Sequence, residues 1–170
     1  MTKNEFEAVY REKFSYVYNY VYMRVIHKEL AEDITSQTFL NAFSHLDSFD
    51  PKKASVGTWL CRIAKNLITD HYRSSETRLT SPTEEYPETP FEDESLSTGD
   101  AINDEAKYLL EHLTPEEREL IALRYGLDMK VTDIAEQYGI TLKAASKRIQ
   151  RILEKCRKLE VGRDNVLIAS

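Results

Sequence analysis

The chain has 170 residues, with 23 basic and 29 acidic side chains and a net charge of −6. Its hydrophobic fraction of 41% and charged fraction of 31% are typical of a soluble chain with a core and exclude a disordered protein. No apolar run approaches the ~20 residues of a membrane helix, and the first residues lack the apolar stretch of a secretory signal. We therefore expect a cytoplasmic protein that has no membrane contact of its own.

Three helices are predicted in the N-terminal piece, residues 1–73. Thr2 and Glu5 have the spacing of a capping box at the start of the first helix. Two more helices are expected over about residues 29–46 and 55–73, and Asp50-Pro51 interrupts the chain between them. No alternating strand pattern is present, so this piece reads as a bundle of three or four helices. The predicted buried stripes are Phe6, Val9, Phe14, Val17, Val21 and Val25 on the first helix, Ala31, Ile34, Thr38, Ala42 and Leu46 on the second, and Val56, Leu60, Ile63 and Leu67 on the third.

The acidic excess lies in one segment, residues 74–104. This segment has nine acidic groups and one basic group, Arg78, so its net charge is −8. The pieces on either side, residues 1–73 and 105–170, each have a net charge of +1. The segment also contains three of the five prolines and lacks helical or strand periodicity. It is predicted to be a flexible, self-repelling linker between two compact pieces.

The C-terminal piece, residues 105–160, begins with a strong helix signal. Thr114 is placed to cap the helix, Pro115 is at its first position, and two acids follow. This helix is expected to end at Gly126. A short helix over about residues 132–138 and a last helix over about 141–159 complete the piece. Residues 161–170 are predicted to be a tail. Its last residues, 166–170 (VLIAS), are apolar and either fray or pack on a partner.

Residues 132–141 have the layout of a helix-turn-helix. Ala135 allows two helices to cross closely, Gly139 makes the turn, and Ile140 fills the angle between the helices. The last helix has a predicted buried stripe and an opposite basic face. Residues 141–158 contain seven basic groups and one acid, a net charge of +6. A merely solvated face would mix charges to form pairs four residues apart, so this face favours a polyanion such as DNA. The stripe comprises Leu142, Ala145, Ile149, Ile152, Cys156 and Leu159.

A second cationic face is expected on the third N-terminal helix. Basic groups stand beside aromatic residues there, a combination that suits a single strand whose bases are unstacked. This signal is weak by itself, because Trp59 is more typical of a core residue and Asn66 of an ordinary exposed polar group. The residues near this face are Arg62, Lys65, Asn66, Thr69, Tyr72 and Arg73.

The chain resembles bacterial RNA polymerase sigma factors of the extracytoplasmic-function (ECF) group, in the sigma-70 family. Residues 31–43, AEDITSQTFLNAF, resemble the polymerase-binding helix of that group, and residues 56–73, VGTWLCRIAKNLITDHYR, resemble its promoter-melting helix. Residues 113–118, LTPEER, and the helix-turn-helix resemble its promoter-reading domain. The resemblance implies an all-α fold of two small helical domains, region 2-like over 1–73 and region 4-like over 105–160, joined by the acidic linker.

The resemblance also implies a function without a catalytic site, metal or cofactor. The protein would bind RNA polymerase core, direct it to a promoter, and help to melt the minus-ten element. Asp33, Gln37 and Asn41, four residues apart, would dock on the clamp helices of the largest polymerase subunit. Asn66 would help to hold a flipped minus-ten base, a step that costs a few kcal/mol, and Arg62, Lys65, Thr69, Tyr72 and Arg73 would contact the DNA around it. On the last helix, Lys143, Ser146, Lys147, Arg148, Gln150 and Arg151 would contact the minus-thirty-five element.

The resemblance also implies three partners and a role for the linker. An anti-sigma factor is the expected inhibitor, and promoter DNA and polymerase core are the expected partners. The acidic linker would either mimic nucleic acid in the polymerase cleft or simply stay soluble and open.

The sequence departs from the family pattern at two places. The first helix of the helix-turn-helix has Lys130 and Val131 where the family often has a Ser or Thr cap, so Asp128 or Thr132 is the expected cap. The last helix begins with Lys143-Ala144-Ala145 in place of the usual Gly-Thr-Val, which indicates an unusual promoter sequence.

Two other function classes fit the sequence less well. A free-standing helix-turn-helix regulator is the alternative, but such proteins usually dimerise on a palindrome, and residues 1–73 would then have no role. An enzyme is disfavoured because Asp70-His71 has no second histidine or carboxylate cluster near it in the sequence, and His27, His45 and His112 are scattered at predicted helix ends. Cys61 and Cys156 are expected to be reduced thiols.

Overall fold

The computed structural model describes residues 1–78 and 104–169, with side chains described for 1–74 and 104–164. These ranges contain seven α-helices, a short 3-10 turn and one π-helical segment, and no strand. Within them, no helix is both long enough and apolar enough to cross a membrane. The all-α prediction is confirmed. The helices are α1 (Lys3–Val25), α2 (Lys28–Ser44), α3 (Val56–Arg78), α4 (Asp104–Glu111), α5 (Pro115–Ile121), α6 (Val131–Tyr138) and α7 (Leu142–Ala169).

The first two helices form where local signals predict them. The capping box of Thr2 and Glu5 is present at the start of α1, and its two reciprocal hydrogen bonds satisfy backbone donors that the first turn leaves free. The ring of His27 accepts a hydrogen bond from the Leu30 N–H and so caps α2. Thr35 and Thr38 are fully buried on α2, and each hydroxyl donates to the carbonyl four residues earlier. These bonds let two polar residues face the core without loss of hydrogen bonding.

The buried face of α3 is rotated relative to the predicted stripe. Leu60 is buried as expected, but Val56, Ile63 and Leu67 are only half-buried. α3 packs between α1 and α2, and the residues that it buries there are Gly57, Leu60, Cys61, Ala64 and Ile68. The small residues Gly57, Cys61 and Ala64 therefore face the neighbouring helices, which lets those helices approach closely. Gly57 shows how close, because a Cβ there would lie 3.0 Å from the Tyr16 ring.

The third helix also continues past its predicted end at Arg73. It runs to Arg78 and so enters the segment assigned to the acidic linker. The rest of that segment, residues 79–103, lies outside the described residues.

The C-terminal half begins with a helix that the sequence reading did not identify, α4. The predicted Thr114 cap is confirmed, and Glu117 completes a capping box by accepting from the Thr114 N–H. The helix that follows changes to a π-helical segment over Ala122–Gly126, and the Leu127 N–H donates to the Ala122 carbonyl at 3.0 Å. A π-helical turn widens the helix and shifts the side chains beyond it.

The helix-turn-helix forms as predicted, with one difference at its start. α6 ends at Gly139, whose φ of 62° is in the left-handed region that favours glycine. Lys130 is the N-cap of α6 and makes no side-chain cap hydrogen bond. The prediction that Asp128 or Thr132 caps this helix is therefore wrong. Asp128 instead has a φ of 49° and accepts a hydrogen bond from Arg124.

The last helix, α7, is longer than predicted and buries a shorter stripe. It extends to Ala169 and includes most of the predicted tail, residues 161–170. Ala145, Ile149 and Ile152 are buried, and Cys156 and Leu159 are half-buried. Leu142 is 51% exposed, so its assignment to the stripe is wrong. It is the first residue of α7, and within the described residues its side chain is left open to solvent.

The two halves pack against each other. α1 contacts both α5 and the π-helical segment, and one apolar core continues from Val17 and Tyr20 in the first half to Leu120 and Leu123 in the second. The Tyr16 hydroxyl donates to the Leu127 carbonyl at 3.1 Å. The fit is close at Gly126, because a Cβ there would lie 3.0 Å from the Met23 Sδ. The two halves therefore form a packed interface in addition to their connection along the chain.

Candidate nucleic-acid and polymerase surfaces

The basic face of α7 is held toward solvent by the packing of its other side. Ala145, Ile149 and Ile152 anchor the helix against the rest of the C-terminal half. The Thr141 hydroxyl accepts from the Ala144 N–H at 3.1 Å and caps the helix start. Five of the six residues expected at the minus-thirty-five element are exposed, and Ser146 is half-buried. The five exposed residues are Lys143, Lys147, Arg148, Gln150 and Arg151.

The basic residues of α7 differ in whether they have an acidic partner. Lys155 lies 2.9 Å from Glu117 on α5, and Lys158 lies 3.9 Å from Glu154 on the same helix. Within the described ranges, no acidic partner within ion-pair distance is found for the other five basic residues of 141–158. A cluster of one sign repels itself, and a polyanion would relieve that repulsion. The unpaired basic residues are Lys143, Lys147, Arg148, Arg151 and Arg157.

The Glu117 carboxylate joins this helix to α5. Burial by itself would raise the pKa of Glu117, but the hydrogen bond from Lys155, the bond from the Thr114 N–H and the charge of Lys155 outweigh it. The net pKa is lowered. One carboxylate therefore completes a helix cap and anchors the C-terminal part of α7, while the N-terminal part stays open.

The residues expected at the minus-ten element divide between two sides of α3. Arg62, Asn66 and Arg73 are exposed, and their spacing of four and seven residues puts them on one face. Lys65 and Tyr72 lie at the edge that faces the rest of the molecule. The Lys65 Nζ is 2.8 Å from Glu119 Oε1, and the Tyr72 hydroxyl donates to the Arg24 carbonyl at 3.5 Å.

Thr69 also uses its hydroxyl inside the protein. It is half-buried and donates to the Lys65 carbonyl at 2.9 Å. The six residues grouped by the sequence therefore differ in the fold. Arg62, Asn66, Tyr72 and Arg73 are exposed, and Lys65 and Thr69 are half-buried.

A groove lies beside Asn66, between α2, the 3-10 turn (Leu46–Ser48) and α3. Its volume is about 290 Å³. The Trp59 ring forms part of the wall and packs on Phe49 with ring centroids 5.0 Å apart, so this residue is both a packing residue and a lining residue. Sequence reasoning missed the contributions of His45, Ser48 and Asp70, because only the packing of α2 on α3 brings them together. The groove is lined by Asn41, His45, Ser48, Trp59, Ile63, Asn66, Leu67 and Asp70.

The expected docking face on α2 is a single surface. Asp33 and Gln37 are exposed, and the Gln37 Nε2 donates to the Asn41 Oδ1 at 2.8 Å, so these residues share a side. Leu40 lies on the same side and is 61% exposed. Sequence reasoning missed Leu40, although its position outside the buried stripe was a usable signal. The face combines polar groups with an exposed apolar residue, as protein interfaces often do.

The described residues contain no group of three or more His, Cys, Asp or Glu side chains that could hold a metal ion. Cys61 is buried, and burial raises the pKa of its thiol to about 12, so it is an unreactive core residue. His27 and His45 are at helix termini, the positions that the sequence indicated.

Comparison with known proteins agrees with this division into two halves. Residues 7–78, which include most of α1 and all of α2 and α3, match the family model Sigma-70 region 2. Residues 104–156, which begin with α4 and include the exposed basic face of α7, match the family model Sigma-70, region 4. The chain belongs to the sigma-70 family. The resemblance to its ECF group is also confirmed by the relatives described next.

Curated relatives in the sigma-70 family cover both halves. The chain is 33% identical over 142 residues to the ECF RNA polymerase sigma factor BldN of Streptomyces coelicolor, which is 79% of this chain and 52% of BldN. It is 27% identical over 121 residues to the ECF RNA polymerase sigma factor SigC of Mycobacterium tuberculosis, which is 71% of this chain and 65% of SigC. The chain thus spans about half to two thirds of the length of these relatives.

A solved structure with the same fold is the sigma factor RpoE in complex with the anti-sigma factor NepR from Bartonella quintana. The TM-score is 0.68 at 19% identity, and the match covers 91% of this chain and 96% of that chain. At this identity the likeness establishes the fold only.

Proposed function

We propose that the chain is a transcription initiation factor that binds RNA polymerase core, directs it to specific promoters and helps to melt the minus-ten element. The observation that carries the proposal is the exposed basic face of α7, which is anchored on a region 4 domain. Five of its seven basic residues have no acidic partner within ion-pair distance in the described residues. A region 2 domain with its own exposed cationic face accompanies it. The protein acts by binding, not as an enzyme, and works in the cytoplasm, where the polymerase is.

The minus-thirty-five element is read by α7. A helix with a basic face fits the major groove, where Arg and Lys reach guanine edges and phosphates and Gln reaches adenine. Lys143, Lys147 and Arg148 contact mainly the backbone, and Gln150 and Arg151 read base edges. Ser146 is half-buried, and its short side chain contacts DNA only where the DNA lies close to the helix.

The minus-ten element is held by α3 and the groove beside it. Asn66 is exposed at the rim of a groove that has polar groups from α2 and α3. A base that leaves the stack loses stacking and pairing energy, and a polar pocket with an aromatic wall returns part of it. Arg62 and Arg73 lie on the same face as Asn66 and hold the strand on either side.

Polymerase core docks on α2. Asp33, Gln37 and Asn41 present hydrogen-bonding groups, and Leu40 supplies an apolar contact on the same surface. The docking partner is the clamp-helix coiled coil of the largest subunit, a surface that a helix face of this kind can pack against.

An anti-sigma factor is the proposed inhibitor. The Bartonella RpoE, which has the same fold, is seen in complex with an anti-sigma factor. By binding both halves, such a partner would cover α2 and α7 together.

The proposal is tested by in vitro transcription with purified core polymerase on a genomic promoter library, with and without the chain. Specific transcripts that require the chain are expected. A stand-alone helix-turn-helix regulator, the alternative, would bind promoter fragments without polymerase and would yield no chain-dependent transcript. That result, together with failure to co-purify with core, would contradict the proposal.

A further inference from the structure

The ion pair between Lys65 and Glu119 joins the two halves at a residue that the proposed function assigns to DNA. The Lys65 side chain on α3 is 43% exposed, and the Glu119 side chain on α5 is 17% exposed. Their charged atoms are 2.8 Å apart. The carboxylate is thus largely withdrawn from water, while the ammonium group keeps partial access to it.

Glu119 also interacts with groups of both halves. Burial would raise its pKa, but the interaction with Lys65 and the positive charges of Arg24 and Lys65 outweigh burial, and the net pKa is lowered. The Tyr138 phenol of α6 is near the same carboxylate, and burial followed by that negative charge raises its pKa. The carboxylate is therefore ionised at neutral pH and lies among Lys65 of α3, Arg24 of α1 and Tyr138 of α6.

A second contact closes the same interface from another side. The Tyr16 hydroxyl on α1 donates to the Leu127 carbonyl at 3.1 Å, close to where Gly126 fits against Met23. Two separate polar contacts and a continuous apolar core thus hold one arrangement of the halves. This arrangement has a chemical consequence for Lys65.

We propose that the Glu119 carboxylate binds the Lys65 ammonium group where a nucleic-acid phosphate would otherwise bind it. The arrangement in which the two halves pack together, called here the closed arrangement, then competes with DNA for the same ammonium group. The inference rests on the proposed function of α3. A carboxylate and a phosphate are both oxyanions, and one lysine cannot give its full interaction to both. DNA binding therefore requires Glu119 to leave, and departure of Glu119 loosens the contact between α3 and α5.

The competition has a measurable size. When only a fraction of the molecules is competent to bind, the apparent affinity is reduced by that fraction. Removing the Glu119 charge by Glu119→Gln keeps the side-chain shape and weakens the closed form. Since the ion pair is only partly shielded from water, we expect DNA affinity to rise by about three- to tenfold.

The test is a double-mutant cycle with the full chain and a fluorescein-labelled, single-stranded DNA 20-mer of mixed sequence. Fluorescence anisotropy gives the dissociation constant of the wild type, Glu119→Gln, Lys65→Gln and the double variant. Glu116→Gln is the matched control, because Glu116 is an exposed acid on the same helix and its loss changes the net charge equally. The gain in DNA affinity from Glu119→Gln should exceed the gain from Glu116→Gln. This difference should vanish in the Lys65→Gln background.

A second measurement includes a variant that leaves Glu119 unchanged. Tyr16→Phe removes the hydroxyl that bonds to Leu127 and leaves every charge in place. Small-angle X-ray scattering should show a larger radius of gyration for Tyr16→Phe and Glu119→Gln than for the wild type and Glu116→Gln. Circular dichroism confirms that each variant keeps its helices.

The outcomes separate this inference from the proposed function. The competition does not exist if Glu119→Gln raises DNA affinity no more than Glu116→Gln does. It also does not exist if the larger gain of Glu119→Gln persists in the Lys65→Gln background. Both conclusions hold whatever the transcription assay shows. If no variant binds the 20-mer, Lys65 is not a nucleic-acid contact and the inference fails with that assignment. Failure of the proposed function is recognised separately, by the absence of chain-dependent transcripts with core polymerase.

Discussion

Arg151→Ala should weaken binding to the minus-thirty-five element without weakening the fold. The Arg151 side chain is exposed, and within the described ranges it forms no ion pair. The neighbouring Ile149 and Ile152 remain buried on the other side of α7. An exposed helical Arg→Ala change alters helix propensity little, so the free energy of unfolding should change by less than about 0.5 kcal/mol.

The expected loss of binding follows from the contact that Arg151 makes. If its guanidinium forms a bidentate contact with a guanine edge, the cost is about 1–3 kcal/mol, or about five- to 150-fold in the dissociation constant. A phosphate contact would instead weaken binding to all sequences alike and reduce the slope of log K against log salt by about one. These two cases are separable with one protein.

The assay is fluorescence anisotropy with duplexes that carry a selected minus-thirty-five element and single base changes within it, at several salt concentrations. Arg157→Ala is the matched control, because Arg157 is exposed on the same helix but about 120° away around its axis. The variant should lose discrimination at one base position, and the control should not. Equal losses in both variants, or no loss in Arg151→Ala, would show that the reading face is misplaced.

Four other expectations concern docking, melting and stability. Asp33→Ala combined with Gln37→Ala should abolish co-purification with core polymerase and leave the circular dichroism spectrum unchanged; retained binding would place the docking face elsewhere. Asn66→Ala should lower transcription from linear duplex promoters more than from templates with a pre-melted minus-ten bubble, and equal losses on both would argue against a flipped-base contact. Gly139→Ala should destabilise the fold by about 1 kcal/mol in urea unfolding, because φ of 62° is unfavourable for alanine; an unchanged midpoint would mean that the turn relaxes. The pKa of Glu117 is lowered in the fold, so its contribution to stability is present above the unfolded pKa of about 4.3 and is lost as the pH falls through the folded pKa. Glu117→Gln should therefore make the thermal midpoint less dependent on pH in that acidic range. Identical pH profiles of the variant and the wild type would refute the role of this carboxylate.

Several features of the protein could be read from short stretches of sequence, because they depend on neighbours along the chain. Thr2 and Thr114 are followed three residues later by a Glu, and both capping boxes form. Gly139 stands where the chain needs a left-handed residue, and it adopts that conformation. The basic face of α7 also follows from spacing, since residues three and four apart share one side of a helix.

The tertiary structure decided the features that depend on which helix packs against which. The packing of α3 between α1 and α2 turned its buried face toward Gly57, Cys61 and Ala64, which an apolar pattern could not indicate. Leu142, at the start of α7, is exposed because the described part of the chain does not cover it. The start of α6 without a side-chain cap shows that packing can hold a helix that lacks a local signal.

The same distinction applies to the candidate site. Sequence spacing identified Asp33, Gln37 and Asn41 as one face and Arg151 as solvent-facing, because each set lies on a single helix. It could not show that Lys65 meets Glu119, since 54 residues separate them in the sequence. Nor could it assemble the groove beside Asn66 from three elements. Helical periodicity fixes the direction of a side chain around its own axis, and only the packing of the two halves decides what that side chain meets.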